Sequence, residues 1–593
     1  MQACLRTITG KTPILIVAAV FLITGSPLYT QTTDAKFTEV GEVRMLERNK
    51  WKFHGAGAEL VCEYPRGSQR EHIGVAEAMF GGITADGDTL VSTGSSDTED
   101  EFWASDASWD TVWVIDNHRE PVDIGGKRGD SSDIYLPDYK AVSDQDLVTH
   151  YSDYFVRYPN EGTPHEGVHT PLYLLVIESI YSWGGGSPLE NVLVWTWKIV
   201  PTRDSVRAGY FGFRTRAAIG QNERDPGSDD RSLFFEEYNM LAFEDGPGGG
   251  DGDAVGALGY QVLPSEEYAG DNLRWTFLHG ERAPITDKKY YETLSQGRVM
   301  ADEPPIYGGF ESGSHTYVCV GPFSVAPNDT LTLRMVQILG DSLDGLKSEG
   351  EMIQDLAELD FKVPTAPPAP KTSISKSGAS INISWEEESR IEGYQDPYRQ
   401  DKTEKPFEGY RIYRSTESQE GPWTAIAEFD LAGNATGANT GLQYEYTDTP
   451  SAIDADSLYY TVTAFSKPDT VFDWPSVESS LYTDVLQIER PTGLAEESTL
   501  PGETHLSRNH PNPFNPSTTI QVTLPEERHA TLVIYDLLGR RVHTLAARTL
   551  TAGRHEFRWY GRNTAGEQVE SGIYFYRLKT GEKEITRKMV LLR

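Results

Sequence analysis

The chain has 593 residues, of which 38% are hydrophobic, 11% aromatic and 24% charged. This length exceeds what one hydrophobic core organises, so we expect roughly three or four domains. Abundant Tyr, Trp, Gly and Pro favour many short strands joined by turns and argue against a helical bundle or a coiled coil. The formal charge of −36 excludes a general binder of nucleic acid or other polyanions.

Residues 1–30 have the pattern of a secretory signal peptide. Arg6 and Lys11 give a basic start, an unbroken apolar run follows over residues 14–23, and the next residues are polar and turn-prone. The run is about half the length that spans a bilayer, and no later stretch reaches about 18 apolar residues. We therefore expect a mature chain without a transmembrane segment, located outside the cell or on its outer surface.

Residues 31–363 are predicted to form a large β-rich domain. Strand-like runs recur there, among them DTVWVI, NVLVWTWKIV and AGYFGFRTRAAI. A helix is expected near the end, where Asp341 provides an N-cap and Leu346, Ile353 and Leu356 follow at near-helical spacing. We interpret the region as one large β-sandwich, or two stacked ones, closed by this helix.

Two motifs in this region have the residue types that bind metal ions. Residues 165–169, HEGVH, have the H-E-x-x-H form that binds Zn²⁺ when it lies on a helix, but Pro171 would end a helix after barely two turns. A loop before a strand is therefore the favoured interpretation. In the glycine-rich segment FEDGPGGGDGDAVG, Asp245, Asp251 and Asp253 provide hard oxygen donors that suit Ca²⁺. A solvated acidic loop is the alternative, and no other cofactor is predicted.

Tryptophan is concentrated in the same region. Half of the 12 tryptophans lie between residues 103 and 197. Exposed tryptophans stack on sugar rings or peptides, but they more often fill the core of a sandwich, which is the role we expect. Trp195 and Trp197 share one face of a strand, so they act together.

The mature chain retains two cysteines, Cys62 and Cys319, each in a strand-like context. In an oxidising compartment they can form one disulfide, which would join the first and last strands of a domain. Two separate buried thiols are the alternative. The sequence does not decide between them, because it does not give the separation of the two Cα atoms.

A Pro-rich boundary at residues 364–371 opens a second β-module, which we place at residues 364–490. The run SINISWEE alternates apolar and polar residues, and so does LYYTVTAF, residues 458–465, whose tyrosines lie where a tyrosine corner is expected. These features resemble a fibronectin type III domain. That resemblance implies a spacer or a binding scaffold without chemistry of its own.

A charge break marks the last module. Residues 31–504 carry 37 basic and 81 acidic residues, a net charge of −44, whereas residues 505–593 carry 14 basic and 8 acidic residues, a net charge of +6. Residues 491–504 are turn formers without periodicity and are interpreted as a linker. The alternating runs that follow predict about seven short strands in a small β-sandwich.

The motifs of this last module resemble a known family. NPFNPSTTI, YDLLGR, SGIYFYRL and the terminal KMVLL resemble the type A C-terminal sorting domain of type IX secretion cargo, which is similar in fold to the immunoglobulin-like module of flagellar hook-capping proteins. The resemblance covers residues 505–593. It implies a bacterium of the Bacteroidota kind, Sec export followed by type IX passage across the outer membrane, and the secretion machinery as the partner of this module. The run GPFSVAPNDTLTLRMVQILGDSLDGL resembles uncharacterised secreted proteins of the same bacteria, and no activity is implied by it.

The sequence lacks the common catalytic motifs. It contains no G-x-S-x-G, P-loop, C-x-x-C or Cys–His pattern. We therefore predict a mainly β, multidomain surface or secreted protein with a non-catalytic binding or structural role, whose ligand is an extracellular glycan or protein. The alternative is a secreted zinc peptidase or glycosidase with its site in residues 31–363, where carboxylates are too numerous for a catalytic pair to be chosen.

Overall fold

The structure is a computed structural model. It describes residues 34–48, 52–53, 60–94, 111–118, 120–124, 136–153, 170–221, 231–245, 256–264, 273–279, 286–300, 316–377, 380–403, 405–433, 437–450, 457–489, 504–507, 509, 518–537, 539–551, 553–564, 568–581 and 583–591. This part of the chain is mainly β, as predicted, and is built from sandwich-like pairs of sheets.

Two compact units make up the chain. The first contains residues up to 375, residues 382–447 and residues 457–488, and the second contains residues 376–381, 448–456 and 489–593. The large β-region and most of the module that follows the Pro-rich segment therefore belong to one unit. The predicted signal peptide and the predicted linker at residues 491–504 lie outside the described residues.

Two antiparallel sheets form the large sandwich of the first unit. The nine-stranded sheet has the order β1-β2-β4-β5-β13-β18-β17, with β3 and β6 also pairing with β5. Its strands are β1 (Ala35–Phe37), β2 (Arg44–Arg48), β3 (Lys52–Phe53), β4 (Cys62–Glu63), β5 (Glu71–Ile83), β6 (Thr89–Thr93), β13 (Val206–Gln221), β17 (Arg274–Leu278) and β18 (Thr316–Val325).

The eight-stranded sheet has the order β14-β15-β16-β19-β12-β11-β10-β7. Its strands are β7 (Trp113–Asp116), β10 (Gln145–Ser152), β11 (Leu174–Ser182), β12 (Val192–Pro201), β14 (Arg231–Phe235), β15 (Met240–Glu244), β16 (Ala257–Pro264) and β19 (Leu331–Gly340). A separate hairpin of β8 (Val122–Ile124) and β9 (Leu136–Tyr139) packs its apolar residues in one cluster with residues of β10, β11 and β12.

Aromatic side chains from both sheets meet in the core between them. The ring centroids of Trp197 and Phe211 are 5.1 Å apart, and those of Phe213 and Tyr260 are 4.9 Å apart. β12 is buried on both faces over most of its length, because the outer side of its sheet is covered as well. This explains why its sequence is a near-continuous apolar run.

Two helices cover the outer faces of the sheets. α1 (Asp287–Leu294) packs Tyr290 and Leu294 on the nine-stranded sheet. α2 (Leu343–Glu358) buries Leu346, Ile353 and Leu356, as the spacing predicts. The predicted N-cap at Asp341 is wrong by one residue, because the hydroxyl of Ser342 accepts the hydrogen bond from the Gly345 N–H.

Most of a second, smaller sandwich also belongs to the first unit. One sheet has the order β20-β21-β24 and the other the order β23-β22-β25-β26. The strands are β20 (Thr372–Ser377), β21 (Ser380–Trp385), β22 (Phe407–Ser415), β23 (Thr424–Asp430), β24 (Glu445–Asp448), β25 (Ser457–Ser466) and β26 (Leu486–Glu489), and a short helix α3 (Ser389–Glu392) follows β21. The alternation predicted in SINISWEE is confirmed, since every second residue of β21 is buried.

The second unit contains a small sandwich with its own core. Its sheets have the orders β27-β28-β31 and β30-β29-β32-β33. The strands are β27 (His505–Leu506), β28 (Thr518–Leu524), β29 (Arg528–Asp536), β30 (Arg541–Leu550), β31 (Gly553–Trp559), β32 (Gly572–Thr580) and β33 (Lys583–Leu591). Seven strands within the described residues agree with the sequence prediction. Trp559, Tyr576 and Leu532 lie at the centre of the core.

Candidate functional site

The structure describes one of the three predicted calcium ligands. Asp245 is partly buried and directly follows β15. Asp251 and Asp253 lie outside the described residues, as do His165 and His169 of the H-E-x-x-H motif. Within the described ranges, no group of three or more His, Cys, Asp or Glu side chains is arranged to hold a metal ion. The calcium site therefore stays a prediction.

The two cysteines are free and buried, which corrects the disulfide alternative. β4 and β18 are separated by β5 and β13 in the same sheet, so their Cα atoms are at least roughly 14 Å apart at normal strand spacing. A disulfide requires less than about 7 Å. The side chains also lie on opposite faces of the sheet. Cys62 accepts a hydrogen bond of 3.1 Å from Gln337 Nε2 in the central core, whereas Cys319 packs beneath α1.

Three of the tryptophans have the core role that we predicted. Trp183, Trp195 and Trp197 are fully buried. Trp113 is partly buried and stacks on His150 with ring centroids 5.4 Å apart. Trp103 and Trp109 lie outside the described residues.

A pair of carboxyl groups lies in the core of the large sandwich, where sequence reasoning did not expect one. Glu47 of β2 and Glu178 of β11 extend from opposite sheets, and neither has any exposed surface. Tyr151 and Trp197 both donate to Glu178 Oε2, the indole Nε1 over 2.6 Å. Burial raises the pKa of Glu178 to about 7, and burial together with the neighbouring Glu178 raises the pKa of Glu47.

This carboxyl pair is suited to sharing a proton. Two adjacent carboxylates that are excluded from water do not both ionise, so one proton between them removes the repulsion and forms a hydrogen bond. A pair without exposed surface does not meet a substrate, because a catalytic acid must reach the bond that it protonates. Glu47 and Glu178 therefore act within the core, where the two sheets meet.

Buried polar contacts join the two sandwiches of the first unit on the outer side of the eight-stranded sheet. We call this contact the seam and define it by Asp144, residues 184–186, residues 364–370, Asp396 and residues 476–480. Apolar residues from both sandwiches share one cluster there, including Trp183, Phe361, Val363, Trp474 and Val477. The Pro-rich residues 364–370, predicted only as a boundary, are almost entirely buried.

Two buried carboxylates hold the Pro-rich segment in the seam. Asp144 accepts hydrogen bonds from the backbone N–H groups of Ala366, at 2.7 Å, and Gly184, at 2.8 Å. Asp396 of the smaller sandwich accepts one from Thr365 at 2.8 Å. Burial raises the pKa of Asp144 to about 7 and that of Asp396 to about 6, although their backbone N–H donors act in the opposite direction. These donors occupy the carboxylate oxygens, so both residues position the backbone.

Glycine is required where the two backbones approach each other. A Cβ atom on Gly184 would lie 2.7 Å from the carbonyl oxygen of Glu478, and one on Gly186 would lie 2.7 Å from that of Ser476. Gly186 also has a φ of +76°. The Glu478 N–H donates to the Gly185 carbonyl over 2.9 Å, so the segment between β25 and β26 of the smaller sandwich lies directly on the glycine run of the larger one.

Arg66 anchors the edge of the same contact. Its guanidinium donates to the carbonyls of Thr38, Val40, Gly41 and Val43 at 2.9–3.2 Å and lies 4.5 Å from the ring centroid of Tyr482 in the smaller sandwich. Nearby, the Ser480 hydroxyl donates to the Glu39 carbonyl over 2.5 Å. The two sandwiches of the first unit are therefore joined by apolar packing, backbone pairing and a buried cation.

The second unit exposes an aromatic and basic surface on its four-stranded sheet. We call it the outer sheet face and define it by Tyr535, Ile573, Phe575, Arg577 and Lys579. The residues of β32 alternate between the core and this face, and Phe575 lies opposite Tyr535 on β29. The Arg577 guanidinium lies 5.0 Å from the Tyr535 ring centroid, and Ile573 is 40% exposed. Such a surface suits recognition by another protein.

The sequence of this unit matches a known domain family. Residues 514–584 match the FlgD Ig-like domain, in agreement with the small β-sandwich that the structure shows. No curated protein matches the sequence. No helix among the described residues is long and apolar enough to cross a membrane.

Several solved structures share remote similarity with the chain. Dimeric latent PorU from Porphyromonas gingivalis is 12% identical over 62% of this chain and 33% of its own, with a TM-score of 0.15. A β-1,2-glucanase from Parabacteroides distasonis is 13% identical over 52% of this chain and 34% of its own, with a TM-score of 0.13. PorZ of Porphyromonas gingivalis, a surface component of its type IX secretion system, is 9% identical over 94% of this chain and 75% of its own, with a TM-score of 0.12. The chain spans about a third of the length of the first two, and similarities at this level carry no functional argument.

Proposed function

We propose that this protein is cargo of a type IX secretion system, with residues 505–593 as its export signal. The observation that carries the proposal is the Ig-like module at residues 514–584, which coincides with the sorting-domain motifs NPFNPSTTI, YDLLGR and SGIYFYRL. The outer sheet face gives this module a surface for the secretion machinery. Residues 1–30 direct export by Sec and are then removed, and the mature protein acts outside the cell or on its surface.

The body of the protein acts as a rigid scaffold for an extracellular glycan or protein. The smaller sandwich is a fibronectin type III-like module, placed at residues 364–490, and the larger one occupies residues 31–363. Their seam has no flexible linker, because residues 364–370 are packed and hydrogen-bonded. A fixed pair of sandwiches presents its loops at constant spacing, which suits a non-catalytic binding role.

Deletion of residues 505–593 from the full chain tests the export signal in the producing bacterium. The truncated protein keeps the cores of the first unit, so we expect it to accumulate in the periplasm in folded, protease-resistant form. Immunoblots of periplasm, outer membrane and medium measure its distribution. Normal amounts of truncated protein outside the cell would show that the module is not the signal.

A point variant tests whether the secretion machinery recognises the outer sheet face. We expect Arg577→Ala to reduce export, because Arg577 lies over Tyr535 in the middle of this face. Arg548→Ala is the matched control, since Arg548 is exposed on β30 and is not part of the outer sheet face as defined. Equal export of both variants would assign recognition to another surface of the module.

The calcium site at Asp245, Asp251 and Asp253 belongs to the same proposal. Bound Ca²⁺ would stabilise a body whose net charge is strongly negative. Calorimetry should show saturation at low stoichiometry in the parent protein and its loss in Asp251→Ala. Equal stabilisation of parent and variant would leave only general screening of charge.

A further inference from the structure

Three polar side chains lie together on the outer face of the eight-stranded sheet. Thr196 and Lys198 are two positions apart on β12 and so point to the same side, away from the core that Trp195 and Trp197 enter. Arg334 of β19 is directly opposite Thr196 in the strand register, which makes it the diagonal neighbour of Lys198. We call Thr196, Lys198 and Arg334 the cationic triangle.

Each member of the cationic triangle has donor capacity that the described residues leave unused. The ammonium group of Lys198 makes no hydrogen bond or ion pair with any of them, although most of the side chain is removed from water. Arg334 Nε and Thr196 Oγ1 are both buried without a hydrogen-bond partner among the described residues. Tyr181 is a neighbour of Thr196, but the two side chains do not have the geometry of a normal hydrogen bond. Unpaired buried donors are uncommon in proteins because each loses its hydrogen bonds to water.

The charges around the cationic triangle are not balanced. Arg334 Nη2 pairs with Asp360 over 2.8 Å, and the other oxygen of that carboxylate pairs with Lys362. Lys198 thus faces the positive charge of Arg334 without an anion of its own, and burial together with this repulsion lowers the pKa of Lys198. A partly buried ammonium beside a second cation is unfavourable, and a negatively charged ligand would relieve this repulsion.

We propose that the cationic triangle binds an oxyanion, the carboxylate or sulfate group of a ligand. Lys198 Nζ, Arg334 Nε and Thr196 Oγ1 would each donate one hydrogen bond to its oxygens. The site is open to solvent, since the Arg334 side chain is 24% exposed and that of Asp360 at its edge is 51% exposed. This site is independent of the proposed export signal, because it lies wholly in the large sandwich of the first unit.

Thermal unfolding of the full chain with added anions tests the proposal. Sodium sulfate, sodium acetate and sodium glucuronate are compared with sodium chloride at equal ionic strength. We expect a saturable rise in Tm with at least one oxyanion, and no such rise with chloride. Sulfate as the tightest ligand would identify a sulfated partner, whereas glucuronate would identify a carboxylated sugar.

Lys198→Met separates binding from general salt effects, because methionine keeps the volume and removes the charge. We expect this variant to be at least as stable as the parent without anion, and its affinity for the anion to fall roughly 10- to 100-fold. Lys198→Arg should retain binding. Lys288→Met, at an exposed position of α1, is the matched control and should behave like the parent. A saturable shift that persists in Lys198→Met, or equal shifts with chloride and oxyanions in the parent, would overturn the proposal.

Discussion

Replacement of Gly184 by alanine measures how closely the two sandwiches of the first unit are packed. The new methyl group would lie 2.7 Å from the Glu478 carbonyl oxygen, about 0.7 Å closer than the 3.4 Å at which ordinary contact begins. That carbonyl does not move away freely, because the N–H of the same residue is bonded to Gly185. The overlap should cost about 1–3 kcal/mol of unfolding free energy, and loss of the Asp144 hydrogen bond to Gly184 would add about 1 kcal/mol.

The neighbouring residue provides the control for this experiment. A Cβ atom on Gly185 would meet no atom within 4 Å, so Gly185→Ala should change the unfolding free energy by less than about 0.5 kcal/mol. Urea unfolding of the full chain, followed by tryptophan fluorescence, compares the two variants. Limited proteolysis then shows whether residues 364–370 become accessible in Gly184→Ala. Identical unfolding midpoints and identical cleavage would refute the close approach of the two backbones.

Three further predictions concern buried groups of the first unit. Because the folded pKa of Glu178 is raised from 4.5 to about 7, Glu178 should lower the unfolding free energy by up to roughly 3 kcal/mol as the pH rises through this window. In urea titrations at pH 5 and pH 8, Glu178→Gln should show a smaller fall than the parent, and the rest of the fall should remain because Glu47, Asp144 and Asp396 also have raised pKa values. Asp144→Ala leaves the Gly184 and Ala366 N–H groups without an acceptor, so the unfolding free energy should fall by roughly 1–3 kcal/mol for each group. An unchanged midpoint of urea unfolding would contradict this expected loss of stability. The unreduced mature protein should take up two alkyl groups after unfolding and none while folded, by intact mass, because burial shields both cysteine thiols and raises their pKa values.

Local periodicity was sufficient to predict several strands, among them β12, β13, β21 and β25, and one helix. The alternating residues of β25 and the apolar spacing in α2 each indicate one face of the element that is buried against a neighbouring element. α1 was missed, since its eight residues are mostly polar and bury only Tyr290 and Leu294. Composition marked residues 364–370 as a boundary, but their burial depends on Asp144, which is more than 200 positions away in the chain.

Contacts between distant strands could not be derived from local pattern. The Glu47–Glu178 pair joins residues of opposite sheets, and only the fold brings them together. The cysteines illustrate the same limit, because strand-like surroundings do not reveal which face of a sheet a side chain occupies. In the structure, Cys62 and Cys319 lie on opposite faces of one sheet, with two strands between β4 and β18. The cationic triangle depends on the pairing of β12 with β19, which is likewise a long-range feature.

The seam also determines the order in which the chain can complete its fold during synthesis and export. Trp183 and Val192 of the large sandwich share an apolar cluster with Trp474 and Val477, which emerge from the ribosome nearly 300 residues later. Until those residues have been synthesised, this part of the large sandwich has an exposed apolar surface that promotes aggregation. On the proposed Sec route, we therefore expect the protein to need periplasmic chaperones until residue 477 has crossed the inner membrane, and chains truncated before that residue to be degraded.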